Sequence, residues 1–207
     1  MILVGQYDSP YTRRVAVSLG LLGFAFEHDR RSVFADFDSM RTTNPLGRVP
    51  SLVLDDGTTL VDSAAILDWL DETVGPERAL LPAAGLARRD ALQRIALATG
   101  IVDKAMALAY ERLIRPADKR WPDWIERCRL QVGSGLAALA ARDWPGEARL
   151  DQAWITTACM VRYLRLSGPD LVPEGRHPAL DAVSRRCEGL AAFQACWPAD
   201  YAVPASG

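Results

Sequence analysis

The sequence predicts an α/β N-terminal half followed by an all-α C-terminal half. Three observations carry this. Residues 1–75 alternate short apolar runs with amphipathic helical stretches and contain an Asp-Gly turn between two apolar runs. Residues 76–84 hold Pro76 and Pro82 and lead into Gly85, the composition of a linker. Beyond residue 85 strand signals vanish and long Ala/Leu-rich segments of helical period take over. The expected division is therefore a first domain over residues 1–75, a linker over 76–84 and a helical domain over 85–207.

The elements follow in order. Residues 1–7 form a short apolar run, consistent with a buried strand. Asp8-Ser9-Pro10 then marks a helix start, with Ser9 at the cap and proline at the first helical position. Val15, Val17, Leu19 and Leu22 carry that helix to a stop near Gly23. Residues 24–29 read as a second strand, and the mixed stretch 33–43 as a short, irregular helix. A proline loop, NPLGRVP, leads into a hairpin whose turn is Asp55-Asp56-Gly57. Pro50 lacks an N–H and suits the first residue of a strand; Val49-Pro50 is a candidate cis peptide. Asp62-Ser63 supplies a polar cap for a helix running to about Val74. The order is βαβαββα, a small mixed sheet in which the βαβ unit pairs in parallel and the hairpin is antiparallel.

In the second half, residues 86–114 form one long helix closed by Pro116. Residues 124–141 form another, in which Gly133 and Gly135 allow a close approach of a neighbouring helix. A third covers 153–166, capped by Asp151 and ended by Ser167-Gly168-Pro169; residues 178–197 give one or two more, and the tail 198–207 is expected to be loosely ordered.

Composition bounds the function. With 207 residues the chain buries a sizeable core as one domain or two small ones. A net charge of −2 gives no electrostatic footprint for nucleic acid or an anionic membrane surface. The opening MILVGQYDSPYTRR has no basic region ahead of its apolar run, so it does not read as a secretory signal. No apolar stretch approaches the ~18 residues of a membrane span. Cys128, Cys159, Cys187 and Cys196 show no paired metal spacing, and His28 and His177 are the only histidines, which speaks against a metal site. Reduced thiols packed in helices, in a cytoplasmic protein, are the expectation.

The chemistry concentrates in residues 44–67. A proline-led strand there puts an unpaired edge beside the free N–H groups of the helix start at Asp62-Ser63. A small peptide carrying a carboxylate could use both, the edge by main-chain pairing and the helix terminus by its dipole.

Ser9-Pro10-Tyr11 followed by Arg13-Arg14-Val15, the NPLGRVP loop, and Asp62-Ser63 entering a helix stand together in this order and spacing. On these residues the chain resembles the soluble glutathione transferases, strongly to about residue 81 and more weakly beyond. The resemblance implies a thioredoxin-like first domain and a helical second one. It implies glutathione as co-substrate, a hydrophobic small-molecule electrophile as second substrate, and a homodimer built from the hairpin region of one subunit and the first helices of the other's second domain.

It also assigns roles. Ser9 is implied to hold the glutathione sulfur as thiolate, against the plain reading of a helix cap. Tyr7, near the end of the first strand, is the competitor for that role, or a packed aromatic. Val49 before Pro50 is implied to pair its main chain with the cysteinyl unit. Asp62 and Ser63 match the pair that holds the γ-glutamyl amine and carboxylate, or simply cap the helix, and Arg48 stands where a cation can meet the glycyl carboxylate, or is a solvated surface arginine. Tyr11, Asp103, Met106 and Tyr110 are the candidate second-substrate contacts, the last three near one helix face. Where the family has a Ser/Thr-x-x-Asp capping box at its sixth helix, this chain has Asp151 and Trp154, so the reciprocal cap bond is expected to be lost. A disulfide reductase, isomerase or dehalogenase of the same fold, and a non-catalytic ligand-binding or interaction protein, remain open alternatives.

Overall fold

The structure, a computed structural model, describes residues 1–146 and 149–198. Strand β1 (Ile2–Val4) is shorter than the apolar run that forms it, because Gly5, at φ 129°, turns the chain out of the sheet. Helix α1 (Pro10–Leu22) starts where the sequence placed it: Ser9 Oγ accepts the Thr12 N–H at 3.3 Å, and left-handed Gly23 closes the far end. Strand β2 (Glu27–Asp29) is also shorter than expected; Phe24 and Phe26 pack against the core ahead of it. Helix α2 (Phe37–Thr43), strands β3 (Ser51–Val53) and β4 (Thr59–Leu60), and helix α3 (Ser63–Val74) complete the first half.

The sheet order is β2-β1-β3-β4. Leu3 of β1 stands opposite His28 of β2 in a parallel pair and opposite Leu52 of β3 in an antiparallel one. The hairpin sets Leu52 opposite Leu60. Both the Val49-Pro50 and the Val61-Asp62 peptides are cis.

The second half consists of α4 (Gly85–Leu113), α5 (Pro122–Ala140), α6 (Gln152–Ser167), α7 (Pro178–Glu188) and the short α8 (Ala191–Ala195). Of the two glycines in α5, Gly135 permits the close contact: a Cβ there would lie 2.6 Å from Ile101 of α4, whereas one at Gly133 would meet nothing within 4 Å. The expectation for the tail falls, from residue 199 on, outside the described residues.

Helix α6 is buried on nearly all sides and joins two apolar clusters. One gathers Leu3, Leu52 and Ile66 of the first half with Ile155, Ala158 and Phe193 of the second. The other packs Ile101, Leu136 and Met160 among α4, α5 and α6. The two halves thus share a core, which fixes the cleft between them. Asp151 caps α6 as expected, its Oδ1 accepting from Ala153 and Trp154 N–H at 2.9 and 3.1 Å. Trp154, in the place of the capping-box acid, turns into the core edge-on to Trp144, with centroids 5.1 Å apart. Core packing has taken over a position that elsewhere would finish the cap.

A buried ion pair locks α1 to the C-terminal end. The Arg13 guanidinium, 1% exposed, donates to both carboxylate oxygens of Glu188 at 2.6 Å and to the carbonyls of Cys196 and Phe193.

Candidate active site

Two clefts meet at the junction of the halves and share Tyr11, Arg48 and Val49. The larger, about 490 Å³, runs along the Val49-Pro50 loop to the start of α3 at Asp62, Ser63 and Ala64, with Thr99 and Asp103 of α4 opposite. The smaller, about 140 Å³, opens at Ser9 and is walled by Phe34, Met106, Tyr110 and Tyr163. All the candidate residues except Tyr7 therefore come together from separate segments of the chain.

Local chemistry explains how the loop is held. Asn44 Nδ2 donates to the Arg48 carbonyl at 2.8 Å, and Asn44 Oδ1 accepts the Leu46 N–H at 3.0 Å. A Cβ at Gly5 would lie 2.6 Å from Thr12 Oγ1 and 2.8 Å from Val49 Cβ, so glycine there lets the Val49 loop close on the first turn of α1. The edge expected at the hairpin needs correction: β3 is an interior strand, paired with β1 on one side and β4 on the other. The open main chain is the Val49 segment just ahead of it.

At the start of α1, the Ser9 hydroxyl accepts from Thr12 N–H and keeps its own proton to donate into the smaller cleft. Tyr7 is turned elsewhere. Its ring stacks on His28 with centroids 3.9 Å apart, its hydroxyl lies near the Cys196 side chain, and it lines neither cleft. Burial, then Cys196, pushes the Tyr7 phenol well above the usual tyrosine value.

At the start of α3, Asp62 is exposed and caps the helix, Oδ1 accepting Ala64 N–H at 2.8 Å. Ser63 is 2% exposed, and behind it lies a residue to which the sequence reading gave no role. Arg14 donates to Ser63 Oγ from Nη2 at 2.7 Å and from Nε at 3.2 Å. Among the described residues no carboxylate forms a salt bridge with Arg14, and burial lowers its pKa, with Tyr11 and Asp62 acting in opposition. A buried cation thus backs a hydroxyl whose proton is left for an anion in the larger cleft. The only sequence signal was a second arginine in an otherwise apolar helix.

Tyr11 and Asp103, named separately as second-substrate contacts, engage each other. The Tyr11 hydroxyl donates to Asp103 Oδ1 at 2.5 Å and lies 3.2 Å from the Thr99 carbonyl, bridging α1 and α4 between the clefts. Burial and the Asp103 carboxylate drive its pKa up. Met106 and Tyr110 stand on the wall of the smaller cleft, Tyr110 edge-on to Phe34 at 5.9 Å. Phe34 and Tyr163 were missed, since nothing in their own segments marks them. Arg48 is exposed and borders both clefts. Among the described residues no group of three or more His, Cys, Asp or Glu side chains is placed to hold a metal, and no helix is long and apolar enough to cross a membrane.

A cleft along the Val49-Pro50 loop and the α3 start thus meets an aromatic one at Tyr11, Arg48 and Val49, and the capping hydroxyl of Ser9 opens on the aromatic one. Residues 3–78 match the family model described as glutathione S-transferase, N-terminal domain. The chain is 32% identical over 173 residues to the uncharacterized GST-like protein YibF of Escherichia coli, covering 79% of this chain and 82% of that one. It is 30% identical to a maleylacetoacetate isomerase of Rhizobium meliloti, covering 98% of each. A glutathione transferase family member from Pseudomonas fluorescens, solved with bound glutathione, superposes with a TM-score of 0.83 at 33% identity, over 95% of this chain and 98% of that one. The chain belongs to the glutathione S-transferase family.

Proposed function

We propose that the protein uses glutathione as co-substrate, holds its sulfur as thiolate at Ser9, and directs that thiolate at a hydrophobic electrophile in the aromatic cleft. The observation that carries this reading is the Ser9 hydroxyl: it accepts from the α1 backbone, keeps a proton to donate, and opens on the aromatic cleft, which meets the polar one at Tyr11, Arg48 and Val49. The main chain at Val49 pairs with the cysteinyl unit, Asp62 takes the γ-glutamyl amine, and Ser63 backed by Arg14 takes the γ-glutamyl carboxylate. Arg48 meets the glycyl carboxylate. Glutathione binding then falls to residues 1–75, and the helical segment beyond 85 shapes the second-substrate wall through Met106 and Tyr110.

The reaction needs no general base. Donation from Ser9 and the N-terminus of α1 favour the anion over the thiol, and the proton leaves to solvent. The sulfur lone pair then bonds the ring carbon of an aryl halide as the carbon–halogen bond breaks and halide leaves. With a hydroperoxide it takes the distal oxygen as O–O breaks, the alkoxide gaining a solvent proton and a second glutathione converting the sulfenic acid to disulfide and water. Disulfide exchange through the protein is disfavoured, because Ser9 stands where a mixed disulfide needs a cysteine. An isomerase is the second reading, favoured by the full-length match to a maleylacetoacetate isomerase. It returns glutathione unchanged, so catalytic amounts would suffice, whereas conjugation consumes one glutathione per turnover.

The chain acts as a homodimer in this reading, and its four buried free thiols suit the reducing cytoplasm. Calorimetric titration of glutathione, followed by turnover with an aryl-halide and hydroperoxide panel, tests the reading. Failure to bind glutathione at millimolar concentration would refute it. Size-exclusion light scattering decides the dimer.

A further inference from the structure

A separate recess of about 140 Å³ lies among α4, α5 and the C-terminal end of α6, sharing no residue with either cleft of the glutathione site. Arg112, Arg120 and Arg129 border it. Arg112 donates to the Ser167 carbonyl. Arg120 donates to the carbonyls of Arg112 at 2.6 Å and Arg115 at 3.2 Å. Neutral carbonyls orient these two guanidinium groups without cancelling their charge. Arg129 pairs with Asp170 at 3.0 Å, and Asp170 is the one carboxylate among the lining residues, so cations exceed anions three to one.

Ser167, on the same wall, is 3% exposed, and its hydroxyl has no hydrogen-bond partner among the described residues. A helical serine with no other partner commonly returns its hydroxyl to the carbonyl four residues earlier; Ser167 does not. Buried polar groups are ordinarily paired, so this one calls for an explanation. The remaining lining includes Ala109, Ile125 and Leu171, an apolar surface beneath a cationic rim.

We propose that this recess binds a small organic anion. An oxyanion head, carboxylate or phosphate, meets the guanidinium groups of Arg112, Arg120 and Arg129 and accepts from Ser167 Oγ, while a short apolar or aromatic body lies on Ala109, Ile125 and Leu171. Guanidinium donors suit either head, since both present paired oxygens. One ligand accounts at once for the excess charge, the unpaired hydroxyl and the apolar wall. Helix α4 carries Met106 and Tyr110 on the active-site cleft and Ala109 and Arg112 on the recess, so an occupant sits one helix away from the second-substrate wall.

The test is calorimetric titration of the full chain with benzoate, phenyl phosphate and inorganic phosphate. Saturable binding of benzoate or phenyl phosphate is expected, and the tighter of the two identifies the head group. Arg120→Gln and Arg129→Gln are each expected to weaken it about tenfold or more, the loss that accompanies one charge-assisted hydrogen bond. Ser167→Ala is expected to weaken it severalfold. Arg48→Gln, at the glutathione site, is expected to leave it unchanged. Arg129 is half exposed, so its variant retains the fold and keeps the test decisive if Arg120→Gln does not. Absence of saturable binding at millimolar concentration overturns the proposal, as does binding abolished by Arg48→Gln and indifferent to Arg120→Gln and Arg129→Gln. Inorganic phosphate binding as tightly as phenyl phosphate overturns the role of the apolar floor.

Discussion

Replacing Ser9 by alanine removes the one hydroxyl that caps α1 and opens on the smaller cleft. A thiol in water has a pKa of about 8.5. A hydrogen bond to a charged group is worth about 1.5–3 kcal/mol, and the helix terminus contributes about 0.3–1 kcal/mol more. At about 1.4 kcal/mol per pKa unit, the hydroxyl alone accounts for about 1–2 units of depression. If bound glutathione ionises near pH 6.5, about three quarters of it is thiolate at neutral pH; raising that pKa by about 1.5 units leaves about a tenth. The assay is ultraviolet thiolate absorbance of bound glutathione as a function of pH, for wild type, Ser9→Ala, Ser9→Thr and Tyr7→Phe. Ser9→Ala is expected to lose the neutral-pH signal and also about 1 kcal/mol of stability with the cap, which a melting curve reports separately. Ser9→Thr, keeping hydroxyl and cap, retains most of the signal. Tyr7→Phe is expected to leave it intact, since that ring stacks on His28 and lines neither cleft. A thiolate that survives Ser9→Ala and vanishes in Tyr7→Phe would refute the assignment.

Arg14→Met removes the cation behind Ser63 and is expected to raise the dissociation constant of glutathione tenfold or more; an unchanged value in calorimetry removes Arg14 from the site. Glu188→Ala strands the Arg13 guanidinium, 1% exposed, and is expected to destabilise the protein by about 3–5 kcal/mol in urea unfolding; a loss under about 1 kcal/mol contradicts the buried pair. Burial pushes the thiols of Cys159 and Cys187 up to about 12, so both stay neutral at physiological pH. They are expected to react with Ellman's reagent at neutral pH only once the chain is unfolded. The same shift sets a sign: their contribution to stability is complete below the unfolded thiol value of about 8.5 and is lost as pH rises toward about 12. Alkaline unfolding curves check it.

The helix starts that matter were legible because their signals are local. Ser9 with Pro10, and Asp62 with Ser63, lie next to the N–H groups they serve, so α1 and α3 begin where the sequence placed them. Strand extents were less legible. The apolar runs at 1–7 and 24–29 overstated β1 and β2, because Gly5 turns the chain and Phe24 and Phe26 pack beside the sheet without joining it. Strand pairing is nonlocal, so the hairpin read alone suggested an edge that β1 in fact occupies. Tyr7, two residues away, stood as the competitor to Ser9 or as a packed aromatic; past the turn at Gly5 its ring stacks on His28 and lines neither cleft.

The sequence by itself determined the order of elements, the two cap positions and the composition of the Val49-Pro50 loop. These depend on backbone chemistry within a few residues: a missing N–H at Pro50, a cap oxygen at Ser9, another at Asp62. Only the tertiary structure decided what stands behind those residues. Arg14 reaches Ser63 across 49 positions because α1 packs on α3, and Tyr11 reaches Asp103 across 92 because α6 draws both halves onto one core. The physical reason is that a side chain's partner is set by where packing brings distant helices, and a local pattern does not encode that distance.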